Sequence, residues 1–191
     1  MKRLALFASG NGTNVQQITE YFAERNRDIT ADCVIYNRKD AYVATRAKNL
    51  NLPAFYMKKD DFYSGDKVLN LMSERGIDYI ILAGFLLLVP QNLIEAYPER
   101  IINIHPALLP KYGGPGMYGH HVHETVIAHH EPESGITIHL VDQQFDHGRT
   151  LFQAKCQLTS ADTPDTLASK IHMLEKEYYP RVIEQFVNGE F

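Results

Sequence analysis

The stretch LALFASGNGTN, running from Leu4 to Asn14, decides the fold. Residues 4–8 form a continuous apolar run, as expected for a parallel strand buried on both faces. A turn of small residues follows at 9–14, and then Val15, Ile18, Tyr21 and Phe22 fall at helical spacing. Strand, turn and helix in that order begin an α/β domain. Working outward, strand-length apolar runs recur at 33–36, 54–57, 79–85 and 101–105. Between them lie helical patterns at 42–50 (Val43, Ala44, Ala47, Leu50), around Val68, Leu69, Leu71 and Met72, and at 91–97, where Pro90 opens the helix. That alternation predicts a Rossmann-like doubly wound sheet with right-handed crossovers. Two further runs, 135–141 and 150–158, have few residues between them, so the last part of an otherwise mostly parallel sheet should turn antiparallel. A long helix closes the chain, capped by Thr163 with Pro164 in its first position, and carries a stripe of Leu167, Ile171, Leu174, Tyr178, Val182 and Phe186. Pro180 is expected to kink or break it. No repeat, low-complexity block or linker divides the chain, which reads as one domain over residues 1–191.

The composition fits that picture. Of 191 residues, 45% are apolar and 22% charged, as in an ordinary globular domain. A net charge of −4 gives no electrostatic footprint for nucleic acid or a membrane surface. No apolar run approaches the roughly 20 residues that span a bilayer. The opening MKRLALFASGNG imitates a signal peptide, but its apolar run is too short and meets a glycine turn, so a buried first strand explains it better. Cys33 and Cys156 read as buried free thiols in a reducing compartment, which makes the cytoplasm the expected location. Asn11-Gly12-Thr13 matches a glycosylation sequon only formally.

Four segments have the residues for chemistry. In IINIHPALLP (101–110), Asn103 and His105 lie two apart on a strand and so point the same way. An amide and an imidazole at a strand exit suit the polarisation of one carbonyl, though two solvated polar residues would read the same. The turn SGNGTN lets a ligand approach the backbone at a helix start, where unpaired amides and a positive dipole end favour a phosphate. Thr13 and Asn14 add side-chain donors. It lacks the Lys of a Walker loop, and Val15 stands where the dinucleotide fingerprint needs its third glycine, so a monophosphate fits better than a dinucleotide. The bland alternative is a tight turn with Thr13 or Asn14 as a cap. GFLLLVP (84–90) outlasts its strand and reads either as core or as the wall of a slot for a flat heterocycle. In DQQFDHG (142–148), Asp146 is a candidate partner that would raise the pKa of His105 and keep it cationic, or else a solvated turn residue. Of nine histidines, His120, His121, His123, His129 and His130 cluster late in the chain, yet their spacing fits no zinc template and no metal is expected. They read as a polar helix face at the mouth of a site, begun by a mobile Gly113-Gly114-Pro115-Gly116 loop.

Taken together and in order, SGNGTN, LAGF, NIHPALLP, the FDHG loop and the late EKEYYP resemble the phosphoribosylglycinamide formyltransferases of purine biosynthesis over nearly the whole chain. The resemblance implies the formyltransferase fold, with 10-formyltetrahydrofolate as co-substrate, 5'-phosphoribosylglycinamide as acceptor, and a monomer or homodimer. It aligns Asn103, His105 and Asp146 with the catalytic trio. Gly12, Thr13 and Asn14 align with the phosphate site, and Glu175 with a carboxylate that binds the glycinamide end. Leu86, Leu87, Leu88, Val89, Asn103, Val141 and Asp142 align with the folate wall. Residues 1–100 would form a phosphate-binding half and 101–191 a catalytic and folate-binding half. The chain departs from the family where many members have arginines, at Leu87 and Gly65, in having His147 within an Asp-Gly-Gly loop, and in a longer 113–119 stretch. It also ends at Phe191, without the tail some relatives carry. The rival readings are a deformylase, a transferase acting on an amino sugar or methionyl-tRNA, or a catalytically idle folate- or nucleotide-binding module. The start at the first strand and the Lys111-Tyr112-Gly113-Gly114 segment favour the small stand-alone transferase.

Overall fold

The computed structural model describes residues 1–25 and 28–191. Its elements run β1 (Lys2–Ala8), α1 (Thr13–Arg25), β2 (Ile29–Tyr36), α2 (Val43–Asn49), β3 (Ala54–Tyr56), α3 (Lys59–Tyr63), α4 (Lys67–Glu74), β4 (Tyr79–Leu82), α5 (Gln91–Ala96), β5 (Ile101–His105), α6 (His120–Ala128), β6 (Glu133–Leu140), β7 (Thr150–Gln157) and α7 (Pro164–Val187). One seven-stranded sheet has the order β3-β2-β1-β4-β5-β6-β7. The first five strands pair parallel, and β6 and β7 pair antiparallel. The predicted mixed, doubly wound sheet is therefore the observed one.

The period-2 alternation of β1 builds both layers. Leu4, Leu6 and Ala8 face a core shared with Val15 and Ile18 of α1, Val43 of α2, Val122 of α6 and Ile171 of α7. Ala5 and Phe7 face the opposite core, with Phe62 of α3, Met72 of α4 and Leu93 of α5. Leu4, Leu6 and Phe7 are fully buried, and each such side chain contributes about 1.5–3 kcal/mol. β1 has β2 on one side and β4 on the other, so successive connections wind away from it in opposite directions. That reversal opens a crevice beyond the carboxyl ends of β1 and β4.

Several boundaries differ from expectation. β4 stops at Leu82 rather than at residue 85, because Gly84 takes φ +78° and turns the chain, its carbonyl accepting from the Ser9 amide at 2.9 Å. The five-residue α3 has too little periodicity to be seen in sequence. Pro180 does not break α7, which continues from Pro164 to Val187. A proline removes one helical hydrogen bond at a cost of about 3 kcal/mol, and the burial of Tyr179, Val182, Ile183, Phe186 and Val187 around it offsets that loss. The buried stripe is also rotated: Glu175 and Tyr179 are buried, while Leu174 and Tyr178 are only partly so. The Thr163 cap is present as a capping box, with Thr163 Oγ1 accepting from the Thr166 amide at 3.2 Å and Thr166 Oγ1 from the Thr163 amide at 2.9 Å. Cys33 is buried as expected, but Cys156 lies half-buried on the edge strand β7, and both are free. Among the described residues, no helix is long and apolar enough to cross a membrane.

Candidate active site

A cavity of about 590 Å³ occupies the crevice, bounded by the β1–α1 turn, the exit of β4, the end of β5, the loop after β6 and one face of α7. Its volume is that of a site for a small organic ligand.

The β1–α1 turn forms one end. Gly12 has φ +77°, and a Cβ there would lie 2.5 Å from Val43 Cγ2, so only glycine fits. The Gly12 carbonyl accepts from the Gln16 amide at 3.1 Å. Helical geometry leaves the amides at the start of α1 without intrahelical acceptors, and Thr13 and Asn14 there line the cavity. Arg46 of α2 braces the turn by donating to the Asn11 carbonyl at 2.8 Å, to Asn11 Oδ1 at 2.9 Å and to the Gln16 side chain.

The Asn14 side chain commits one of its two amide hydrogens to α7. It donates through Nδ2 to Glu175 Oε2 at 3.2 Å, across 161 residues of sequence. Glu175 is itself buried, and that burial pushes its carboxyl up to about 7, only partly opposed by the Asn14 bond. Tyr179, one turn further along α7, donates to the Leu82 carbonyl at 2.8 Å and fixes the helix against the end of β4.

At the centre, Asn103 and His105 share a face of β5, and Asp146 reaches them both. Asp146 Oδ2 lies 3.5 Å from His105 Nδ1 and accepts from the Gly114 amide at 3.0 Å. Asp146 Oδ1 accepts from Asn103 Nδ2 at 3.4 Å and lies 3.6 Å from His139 Nε2. Burial pushes the Asp146 carboxyl up, but the two imidazoles and the Gly114 amide more than offset this, leaving it below the ordinary carboxylate value. Asp146 is therefore an ionised acceptor whose side chain is only 10% exposed, held with φ +55°.

His105 departs from expectation. Burial lowers its pKa, and Asp146 and the Tyr112 carbonyl recover only part of the loss. The expected cation is thus replaced by a predominantly neutral ring at pH 7, because desolvation outweighs a carboxylate 3.5 Å away. Its Nε2–H donates to the Tyr112 carbonyl at 2.7 Å, so Nδ1, facing Asp146, is where a proton is taken up.

His139 is the functional residue that sequence reasoning missed. It lies opposite Asn103 in the β5·β6 register, almost fully buried. Its Nδ1–H donates to the Leu140 carbonyl at 2.8 Å, and its Nε2 lies 3.1 Å from Asn103 Nδ2. That contact orients the Asn103 amide and leaves an N–H for Asp146 or a ligand oxygen. The available signal was Thr137 and His139, two apart in an otherwise apolar strand and so on one face. Thr137 fills the other register position, opposite His105, and braces the segment after β5 by donating to the Ala107 carbonyl at 2.7 Å.

The other end of the cavity is apolar. Leu86, Leu87, Leu88, Val89 and Val141 line it, with Phe145 beside them. Asp142 does not reach the cavity wall: its carboxylate is spent within its own loop, accepting from the Gln144 amide at 2.8 Å and pairing with His147 Nδ1 at 2.8 Å. Gly65 lies in the α3–α4 turn, also outside the wall. The histidine group splits: His120 and His121 are exposed, His123 is buried facing the cavity, and His129 and His130 lie past the end of α6. Among the described residues no three His, Cys, Asp or Glu side chains group as metal ligands. The cavity draws its lining from both sequence halves, with Leu86–Val89 from the first and Glu175 from the second.

The chain matches the formyl transferase family model over residues 2–183. It is 36% identical to the chloroplastic phosphoribosylglycinamide formyltransferase of Arabidopsis thaliana over 187 residues, covering 95% of this chain but 64% of that protein, less than two thirds of its length. It is 32% identical to the phosphoribosylglycinamide formyltransferase of Bacillus subtilis, covering 98% of this chain and 95% of that one. Among solved structures, glycinamide ribonucleotide transformylase 1 from Symbiobacterium toebii superposes with a TM-score of 0.90 at 30% identity, covering 99% of this chain and 89% of the other.

Proposed function

The chain belongs to the formyl transferase family, and we propose that it transfers the formyl group of 10-formyltetrahydrofolate to the amine of 5'-phosphoribosylglycinamide. The observation that carries this reading is that one cavity joins three chemistries in line. These are an anion-binding turn, an amide–imidazole–carboxylate centre and an apolar slot. The acceptor phosphate sits on the backbone of Gly12, Thr13 and Asn14, and Glu175 holds the glycinamide end. The pterin lies against Leu86, Leu87, Leu88, Val89 and Val141.

In the reaction, the acceptor amine attacks the formyl carbon. A carbon–nitrogen bond to the acceptor forms, the bond to the folate N10 breaks, and one proton passes from the amine to N10. Asn103, its amide oriented by His139, donates to the formyl oxygen as negative charge develops there. Asp146 remains ionised and attracts the proton that the amine must lose, and His105 Nδ1 beside it is the site that can share it. The ring becomes a cation as the oxyanion forms, when a second charge in the site makes protonation favourable. Two unpaired thiols accord with a reducing compartment such as the cytoplasm. All the groups invoked come from one chain, so either a monomer or a homodimer would serve.

The test is a spectrophotometric assay with both substrates and a control lacking the acceptor. Acceptor-dependent loss of formyl-folate supports the reading. Acceptor-independent hydrolysis points instead to a deformylase, and folate binding without turnover to an idle module. Turnover with an amino sugar in place of the ribonucleotide would move the acceptor to another class.

A further inference from the structure

Arg38 is the only Lys or Arg in the cavity wall among the described residues. It stands between β2 and α2, in a turn closed by the Ala41 amide donating to the Arg38 carbonyl at 3.0 Å. That segment leads directly onto the glycine turn: the Val43 amide donates to the Gly10 carbonyl at 3.1 Å, and the Val43 side chain fills the space beside Gly12. β1 separates β2 from β4 in the sheet, so Arg38 approaches from the anion end and not from the apolar slot at 86–89.

The neighbouring cation is already committed, since Arg46 is bonded to Asn11 and Gln16. Arg38 is not. Its pair with Asp40 spans 3.8 Å between side chains 57% and 81% exposed, a contact of the kind that contributes little in water. A phosphate monoester at the start of α1 carries nearly two negative charges, and a helix N-terminus supplies only about half a compensating charge. The guanidinium fork matches phosphate oxygens and stays charged at every working pH.

We propose that Arg38 turns from Asp40 onto the phosphate monoester of the acceptor and sets the preference for a phosphorylated acceptor over its dephosphorylated counterpart. Arg46 holds the turn in shape, and Arg38 neutralises what the turn binds. The inference rests on the proposed phosphate site and does not require that the transfer reaction itself be correct.

The experiment compares the wild-type chain with Arg38→Met and Arg38→Lys, whose exposed position makes folding a minor concern and whose melting curves serve as the control. Calorimetric titration with ribose 5-phosphate, against ribose, reads the site without any turnover. The affinity for ribose 5-phosphate should fall about tenfold or more in Arg38→Met and recover in part in Arg38→Lys. In turnover, the ratio of KM for the dephosphorylated acceptor to KM for the phosphorylated one should shrink by a similar factor. Unchanged ribose 5-phosphate affinity overturns the inference, as does a rise confined to the KM for the folate, which would assign Arg38 to a folate carboxylate. No binding of ribose 5-phosphate to wild type overturns both the phosphate site and the role of Arg38. Arg38-dependent binding without any formyl transfer overturns the proposed reaction and leaves this inference standing.

Discussion

Replacing Glu175 with Gln should make the protein more stable at alkaline pH while weakening its hold on the acceptor. Glu175 is buried, with Asn14 Nδ2 as its hydrogen-bond donor at 3.2 Å, and its carboxyl titrates at about 7 in the folded chain against an ordinary 4.5. A folded-state pKa above the unfolded one means that the folded chain binds the proton more tightly. The neutral carboxyl therefore stabilises most below the unfolded pKa, that contribution is lost as pH rises through the folded pKa, and above it the ionised group is a constant cost. At about 1.4 kcal/mol per pH unit, the full cost is about 3 kcal/mol as an upper bound. Gln cannot ionise, and its carbonyl can still accept from Asn14. Urea unfolding of wild type and Glu175→Gln at pH 5, 6, 7 and 8 checks this, and taking the difference cancels the groups common to both, including His105 and His123. The variant should differ least from wild type at pH 5, by about 1 kcal/mol, and exceed it by up to about 3 kcal/mol at pH 8, with the acceptor KM raised. A stability difference that does not change with pH would refute the reasoning, since it would mean that Glu175 is not titrating in this range.

Three further substitutions probe the centre and the turn. Asn103→Ala should lower kcat by about 100- to 1000-fold, the usual loss for one oxyanion donor, with little change in either KM; wild-type-like turnover would remove Asn103 from the mechanism. His139→Phe keeps a ring but deletes the ring nitrogen that orients Asn103 and one of the groups holding Asp146 below its ordinary value. It should cost about tenfold in kcat and move the acid limb of the pH–rate profile upward, whereas an unshifted profile would reduce His139 to packing. Gly12→Ala forces φ +77° on a residue with a side chain and drives a Cβ to 2.5 Å from Val43. It should cost at least about 1–2 kcal/mol in thermal unfolding and raise the acceptor KM, and an unaltered KM would argue that the turn is not part of the site.

Much of this was legible along the chain. The Leu4–Asn14 stretch, the alternation after it and the two late strands are local patterns, because a strand buried on both faces and an amphipathic helix each write their period into consecutive residues. Asn103 and His105 share a face for the same local reason, and Thr163-Pro164 announces the start of α7. Where sequence reasoning failed, it failed on competition between terms. Pro180 was expected to kink or break its helix, and α7 continues through it because the surrounding burial exceeds the cost of one missing hydrogen bond. Asp142 aligned with the folate wall by resemblance, and its carboxylate is bonded within its own loop to the Gln144 amide and His147. His105 looked like a cation beside a carboxylate, but nothing in the sequence states how much water each has lost.

What the sequence by itself determined is the order and type of most of the elements, the small-residue turn at residues 9–14 and the pair at the end of β5. Each follows from backbone sterics and periodicity within a few residues. Tertiary structure alone decided the rest. The antiparallel register of β5 and β6 put His139 against Asn103, α7 carried Glu175 to Asn14, and the loop after β6 wrapped Asp146 between two imidazoles. All of those contacts except that of Asp146 with His139 join residues tens to well over a hundred positions apart, and their protonation depends on burial, a property of the whole packed chain.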